Sequence, residues 1–165
     1  VLIYDVLKMD HRMVMSIIDT IEMIPDGSRR KDMLSLVRVE LNMHANSEEE
    51  HFYNPLRARL NESSFAGQLL ETAEDDHHDV EKLLMKLQMG GGESEDWVDD
   101  LRALRAMLQR HILKEENDIF RLAKETFGTL EAADMAARFL EGKGRLAMEN
   151  PIGMAAHAVR DMLTK

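Results

Sequence analysis

The sequence predicts an all-α protein, an up-down-up-down four-helix bundle followed by two short C-terminal helices. The composition points that way, with 13 methionines, abundant Leu, Ala and Glu, and only three prolines. Apolar residues also recur at alternating three- and four-residue steps through four long segments, the spacing of a helix with one buried face. The breaks between these segments are short, which favours antiparallel neighbours.

The first segment carries Ile3, Leu7, Val14, Ile18 and Ile21 and ends near "IPDGS". The second carries Leu34, Val37, Leu41 and Phe52 and is disturbed near Pro55, whose ring and missing N–H oppose a regular helix interior. The third follows "NESS", a source of N-cap side chains, and carries Leu70, Ala73, Val80, Leu84 and Leu87 before "GGG" at 90–92 stops it. The fourth carries Trp97, Leu101, Leu104, Leu108, Ile119 and Leu122 and closes at Gly128. Two smaller helices are expected at about 130–142 and 151–164, separated by "EGKGRL" and with "ENP" opening the second. The bundle is thus expected over 1–128, with 129–165 as a helical extension packed on it.

A net charge of −10 opposes contact with nucleic acid or an anionic membrane surface. No apolar run approaches the roughly 20 residues of a membrane span, and Asp5 comes too early for a signal sequence. The absence of cysteine removes thiolate chemistry and fits a reducing compartment, so a cytoplasmic location is expected. The C-terminal helices would cover a bundle face or form a dimer contact, which leaves monomer and homodimer both open.

An internal repeat crosses this frame. "MDHRMVMSII" at 9–18 matches "DDHHDVEKLL" at 75–84, setting His11 over His77. His44 and Glu48, in "HANSEEEHFYNPL", recur as His111 and Glu115 in "HILKEENDIFRLA", 67 positions on. Four residues turn a helix by about 400°, so each His–Glu pair shares a face. That face is the apolar one. All four histidines interrupt stripes of core residues, and counting from the connections places them about 20 Å from the same bundle end.

Four imidazoles and two carboxylates buried in one layer are costly unless they are paired or bound to cations. A lone His-x-x-x-Glu pair is most often a helix-surface pair. Six residues sharing stripe, layer and repeat point instead to metal ligands. Their donor types suit iron, manganese or zinc, and two carboxylates able to bridge favour a dinuclear site.

The ordered set "DHRMV", "HANSEEEHFYNPL", "DDHHDV" and "HILKEENDIF" resembles the hemerythrin-like, or HHE cation-binding, family over roughly 3–126. The resemblance implies a carboxylate-bridged, non-haem di-iron centre. Glu48 and Glu115 would bridge two iron ions, with His11, His44, His77 and His111 as terminal ligands. It implies binding of a small diatomic ligand, O₂ or NO, for sensing, storage or delivery. The alternatives are an enzyme acting on peroxide or NO, and an iron buffer or sensor. Oxygen carriers of this family have a fifth histidine where this chain has Ala73, which leaves its place to water, a small ligand or another side chain, with Glu74 and Tyr53 as the side-chain candidates. The other histidines are expected elsewhere: His78 on an outer face, His51 beside the layer or at a polar end, and His157 on a solvated surface. Of "SEEE" at 47–50, only Glu48 is expected to face inward.

Overall fold

The computed structural model of the protein describes residues 1–60 and 64–149. Helix α1 spans Ile3–Met23 and α2 Gly27–Glu48, and α2 continues through a π-helical turn, Glu49–Tyr53, into α3, Asn54–Arg59. Helix α4 spans Phe65–Met89 and α5 Glu95–Lys114; α5 passes through a second π-helical turn, Glu115–Ile119, into α6, Phe120–Thr126. Helix α7 follows at Thr129–Glu149. The described residues contain no strand.

Local chemistry sets the helix ends. Asp26 caps α2 by accepting from the Arg29 N–H at 3.0 Å, and Ser94 caps α5 by accepting from the Trp97 N–H at 3.1 Å. Ser64, the last residue of "NESS", caps α4. Trp97 then turns back so that its indole N–H donates to the Leu87 carbonyl at 2.8 Å, closing the end of α4.

Around the bundle, α1 lies beside α2 and α5, and α4 lies beside the same two helices. Short connections thus produce the antiparallel square expected from the sequence. Helix α7 packs across α1, α2 and the first π turn. It departs from the expected break at "EGKGRL" by running unbroken through Gly142 and Gly144. Packing overrides the helix-weakening glycine at 142. A Cβ there would lie 2.6 Å from Ser47 Oγ and 2.9 Å from His51 Nε2, so only glycine lets α7 come this close. The second small helix expected at 151–164, and His157 with it, lie outside the described residues.

The interior has two apolar compartments. One is aromatic-rich and includes Tyr4, Phe52, Tyr53, Ala73, Phe120 and Phe139. The other is mainly aliphatic and includes Val14, Ile18, Val37, Val80, Leu84 and Leu108. Between them in sequence on every bundle helix stands a histidine.

At the bundle end, Gly92 adopts φ +86° against Gly27, and a Cβ on it would approach the Gly27 carbonyl oxygen to 2.5 Å. Gly92→Ala should therefore destabilise the chain by about 1–3 kcal/mol, read as a lower urea midpoint. An unchanged midpoint would mean that this turn does not hold the helices in place.

Candidate metal centre

The six residues picked out by the repeat meet in one layer. Glu48 lies with Oε2 3.6 Å from His44 Nε2 and 3.3 Å from His77 Nε2. Glu115 lies with Oε2 3.8 Å from His11 Nε2 and 3.2 Å from His111 Nε2. Each carboxylate therefore faces one histidine from each half of the repeat. Both glutamates are fully buried. Among the described residues, two groups have donor atoms within 4.8 Å of one another: His11, His44 and Glu48, and Glu48, His77 and His111. Glu48 is common to both.

Each imidazole is held from behind. His11 Nδ1 meets Glu116 at 2.9 Å, His44 Nδ1 meets Asp10 at 3.0 Å, His77 Nδ1 meets Glu49 at 2.7 Å and His111 Nδ1 meets Asp76 at 3.2 Å. An ionised carboxylate only accepts, so each Nδ1 carries a proton and each Nε2 faces the centre, where a neutral ring presents its lone pair. Such backing carboxylates orient a metal-binding histidine and raise its basicity. They also obey the repeat: Asp10 and Asp76 precede the histidines of α1 and α4, and Glu49 and Glu116 follow the central glutamates. Glu49 therefore corrects the expectation that it belongs to a solvated face, because it crosses to His77.

The two π turns begin at or directly after the central glutamates. Their wider winding turns consecutive residues inward, Phe52 with Tyr53 and Ile119 with Phe120, where a regular helix would carry one of each pair off the stripe. Tyr53 gains most from this. Its ring stacks on His77 with centroids 5.8 Å apart and 7° between planes, and its hydroxyl donates to Glu115 Oε2 at 3.1 Å. Glu74 turns away and pairs with Arg57. Ala73 is buried in the aromatic compartment. His78 is exposed, whereas His51 is tucked against Gly142 of α7.

One further group beside the centre lies outside the four apolar stripes of the bundle. Lys143 of α7 is fully buried, and its Nζ donates to Asp10 Oδ2 at 2.6 Å and also to Glu40. The glycines on either side give its segment the sequence of a helix break, which hides it from a reading by periodicity.

The residues present fit bound cations. Both oxygens of Glu48, Oε1 of Glu115, and Nε2 of His11 and His77 are buried without hydrogen-bond partners. Orphaned acceptors of this kind are costly in a dry interior, and a cation satisfies them together. Burial, joined by the nearby Glu115 charge, pushes the Glu48 carboxyl well above its usual range. Burial would also raise Glu115, but the charges of His11 and His111 outweigh it and bring Glu115 below its ordinary value. Burial would depress His111, yet hydrogen bonds to Asp76 and Glu115 carry it up to about 9. At His44 burial wins over Asp10, and the imidazole is lowered.

The chain belongs to the hemerythrin HHE cation binding domain family. The family profile matches residues 2–123, which include every residue of the layer. A curated protein described as a DNA nickase, from Nostoc sp. (strain PCC 7120 / SAG 25.82 / UTEX 2576), is 21% identical over 144 residues, covering 87% of this chain and 40% of that protein. The chain thus spans well under half the length of that relative. No solved structure matches it significantly. No helix among the described residues is long and apolar enough to cross a membrane.

The raised Glu48 carboxyl fixes the sign of one test. A carboxyl whose folded pKa lies above its unfolded value opposes folding while ionised, and this opposition fades as the pH falls. Glu48→Gln mimics the protonated form at every pH. In chelator it should raise the urea midpoint at neutral pH and shrink the gain in acid. A lower midpoint at neutral pH would contradict the reading that burial costs Glu48 more than its neighbours return.

Proposed function

We propose that the layer holds two iron ions, with His11, His44, His77 and His111 as terminal ligands and Glu48 and Glu115 as bridges. We further propose that the protein binds O₂ or NO there for sensing, storage or delivery. The observation that carries this reading is the convergence of six buried donors, several of them orphaned, each histidine backed by a carboxylate. Iron held there would supply reversible coordination of a diatomic gas.

The chain's own residues do the rest. Glu116, Asp10, Glu49 and Asp76 hold the imidazoles with Nε2 inward, so little reorientation accompanies binding. A cavity of about 40 Å³ adjoins the layer, touched by all four histidines and walled by Val14, Val80, Leu84 and Leu108. About one water needs 10–15 Å³ by a comparable measure. The space therefore suits a two-atom ligand better than a large substrate, and aliphatic side chains form much of its wall. Tyr53 is the side chain that reaches the centre on the Ala73 side, where it holds its proton toward Glu115. Glu74, committed to Arg57, does not take that role.

DNA nicking is not carried over from the Nostoc protein. A net charge of −10 opposes a phosphate backbone, and the match leaves most of that protein uncovered.

Protein loaded with ferrous iron without air should contain about two ions per chain and develop a visible band in oxygen that fades on its removal. His111→Ala should lower the iron content, since loss of a ligand weakens a buried site. Unchanged iron in that variant would sink the ligand assignment. Rapid catalytic loss of added peroxide, beyond that of free iron, would favour the enzyme. Easily chelated iron with no spectral response to either gas would favour a buffer.

Tyr53→Phe should keep both ions but shift the visible band or the rate at which oxygen leaves. Identical spectra and release rates would remove Tyr53 from the centre's working parts.

A further inference from the structure

The internal repeat predicts two equivalent halves, but α7 makes them unequal. Asp10 and Asp76 correspond, each accepting from the Nδ1–H of the histidine on the next helix. Asp76 is 31% exposed, so water competes for it, whereas Asp10 is sealed beneath α7 and also accepts from the Lys143 ammonium at 2.6 Å. The same stretch of α7 touches the centre again. Phe139 sets its ring edge-on to His44 at 5.7 Å, and its carbonyl accepts from the Ser47 hydroxyl at 2.8 Å. Gly142 allows the close approach of α7 that these contacts need.

We propose that Lys143 is a positioning residue that fixes Asp10, and through it the inward Nε2 of His44, so that one of the two cation positions is complete only while α7 is docked. This rests on the reading of the layer as a two-cation centre. Lys143 thus anchors the position formed by His11, His44 and Glu48, whereas in the one formed by Glu48, His77 and His111 the imidazoles are backed by Glu49 and Asp76. The chemistry runs from the anchor inward. Asp10 and Glu40 are two buried carboxylates that converge on one ammonium. Without it their like charges drive them apart, and the acceptor that holds His44 moves. His44 then loses its single tautomer, and its lone pair no longer points reliably at the centre. Linkage makes the effect reciprocal: a cation in that position strengthens the docking of α7.

The test uses the whole chain and its Lys143→Met variant. In the metal-free state, ¹⁵N NMR of the imidazoles reads each tautomer. His44 should lose its Nδ1-protonated preference while the ring signals of His77 and His111 stay as in the wild type. Titration with ferrous iron under nitrogen should show one ion bound as in the wild type and the other weakened on the order of 10–100-fold. Hydrogen exchange within α7 should slow when the wild type takes up its second ion, and respond less in the variant. Should Lys143→Met not fold, Lys143→Gln removes the ammonium while leaving both carboxylates in place, and the same readings are taken. An unchanged His44 tautomer with two wild-type affinities would overturn the proposal, as would an equal change at all four histidines, which marks general loosening. A wild-type chain that takes up no iron would instead defeat the metal-centre reading and the unequal affinities with it. The His44 tautomer would still decide whether Lys143 positions that ring.

Discussion

The whole fold is organised around the burial of charge between two oily compartments. Glu48 and Glu115 sit at zero exposure in the middle of a helical bundle, where a purely structural core would place leucine. Isolated carboxylates there are untenable, so the surroundings are built to compensate. Four imidazoles face them, four further carboxylates grip the imidazoles from outside, and a tyrosine hydroxyl reaches Glu115. The aliphatic and aromatic clusters on either side supply the folding energy and exclude water. On the proposed function, the charged layer is the part of the molecule where stability is given up for the cations it would hold.

Periodicity and repetition made much of this legible. Helical stripes carry their own phase, so a histidine on a stripe is assigned inward without coordinates. A second copy of the pattern, 66 or 67 positions on, then brings His11, His44, His77 and His111 into register. The same repeat also contained the backing residues, in the doublets Asp10–His11, Asp76–His77, Glu48–Glu49 and Glu115–Glu116. They were harder to recognise, because an acidic residue beside a helix stripe ordinarily points to solvent. Here the neighbouring helix is close enough for Glu49 and Glu116 to cross the groove.

What remained hidden was long-range. Nothing local announces that Gly142 and Gly144 lie inside a helix, because glycine weakens helices by propensity and the compensating contact with Ser47 comes from another part of the chain. Lys143 was obscured for the same reason: lysine flanked by glycine reads as a solvated linker, while its partners lie more than 100 residues away. The π turns escaped notice because their residues are ordinary helix formers. Their only trace is the inward doublets Phe52–Tyr53 and Ile119–Phe120.

Those widened turns also constrain what can be altered in the chain. Each inserts the equivalent of one extra residue into a rod that otherwise reads as continuous helix. Deleting a single residue from 49–53 or 115–119 would let the rod relax to regular winding, with the helix beyond it keeping its face but losing the room for two consecutive inward residues. Phe52 and Tyr53, or Ile119 and Phe120, would then compete for one inward place even though no side chain had been replaced. The length of these two stretches is consequently as binding a requirement as the identity of any residue within them.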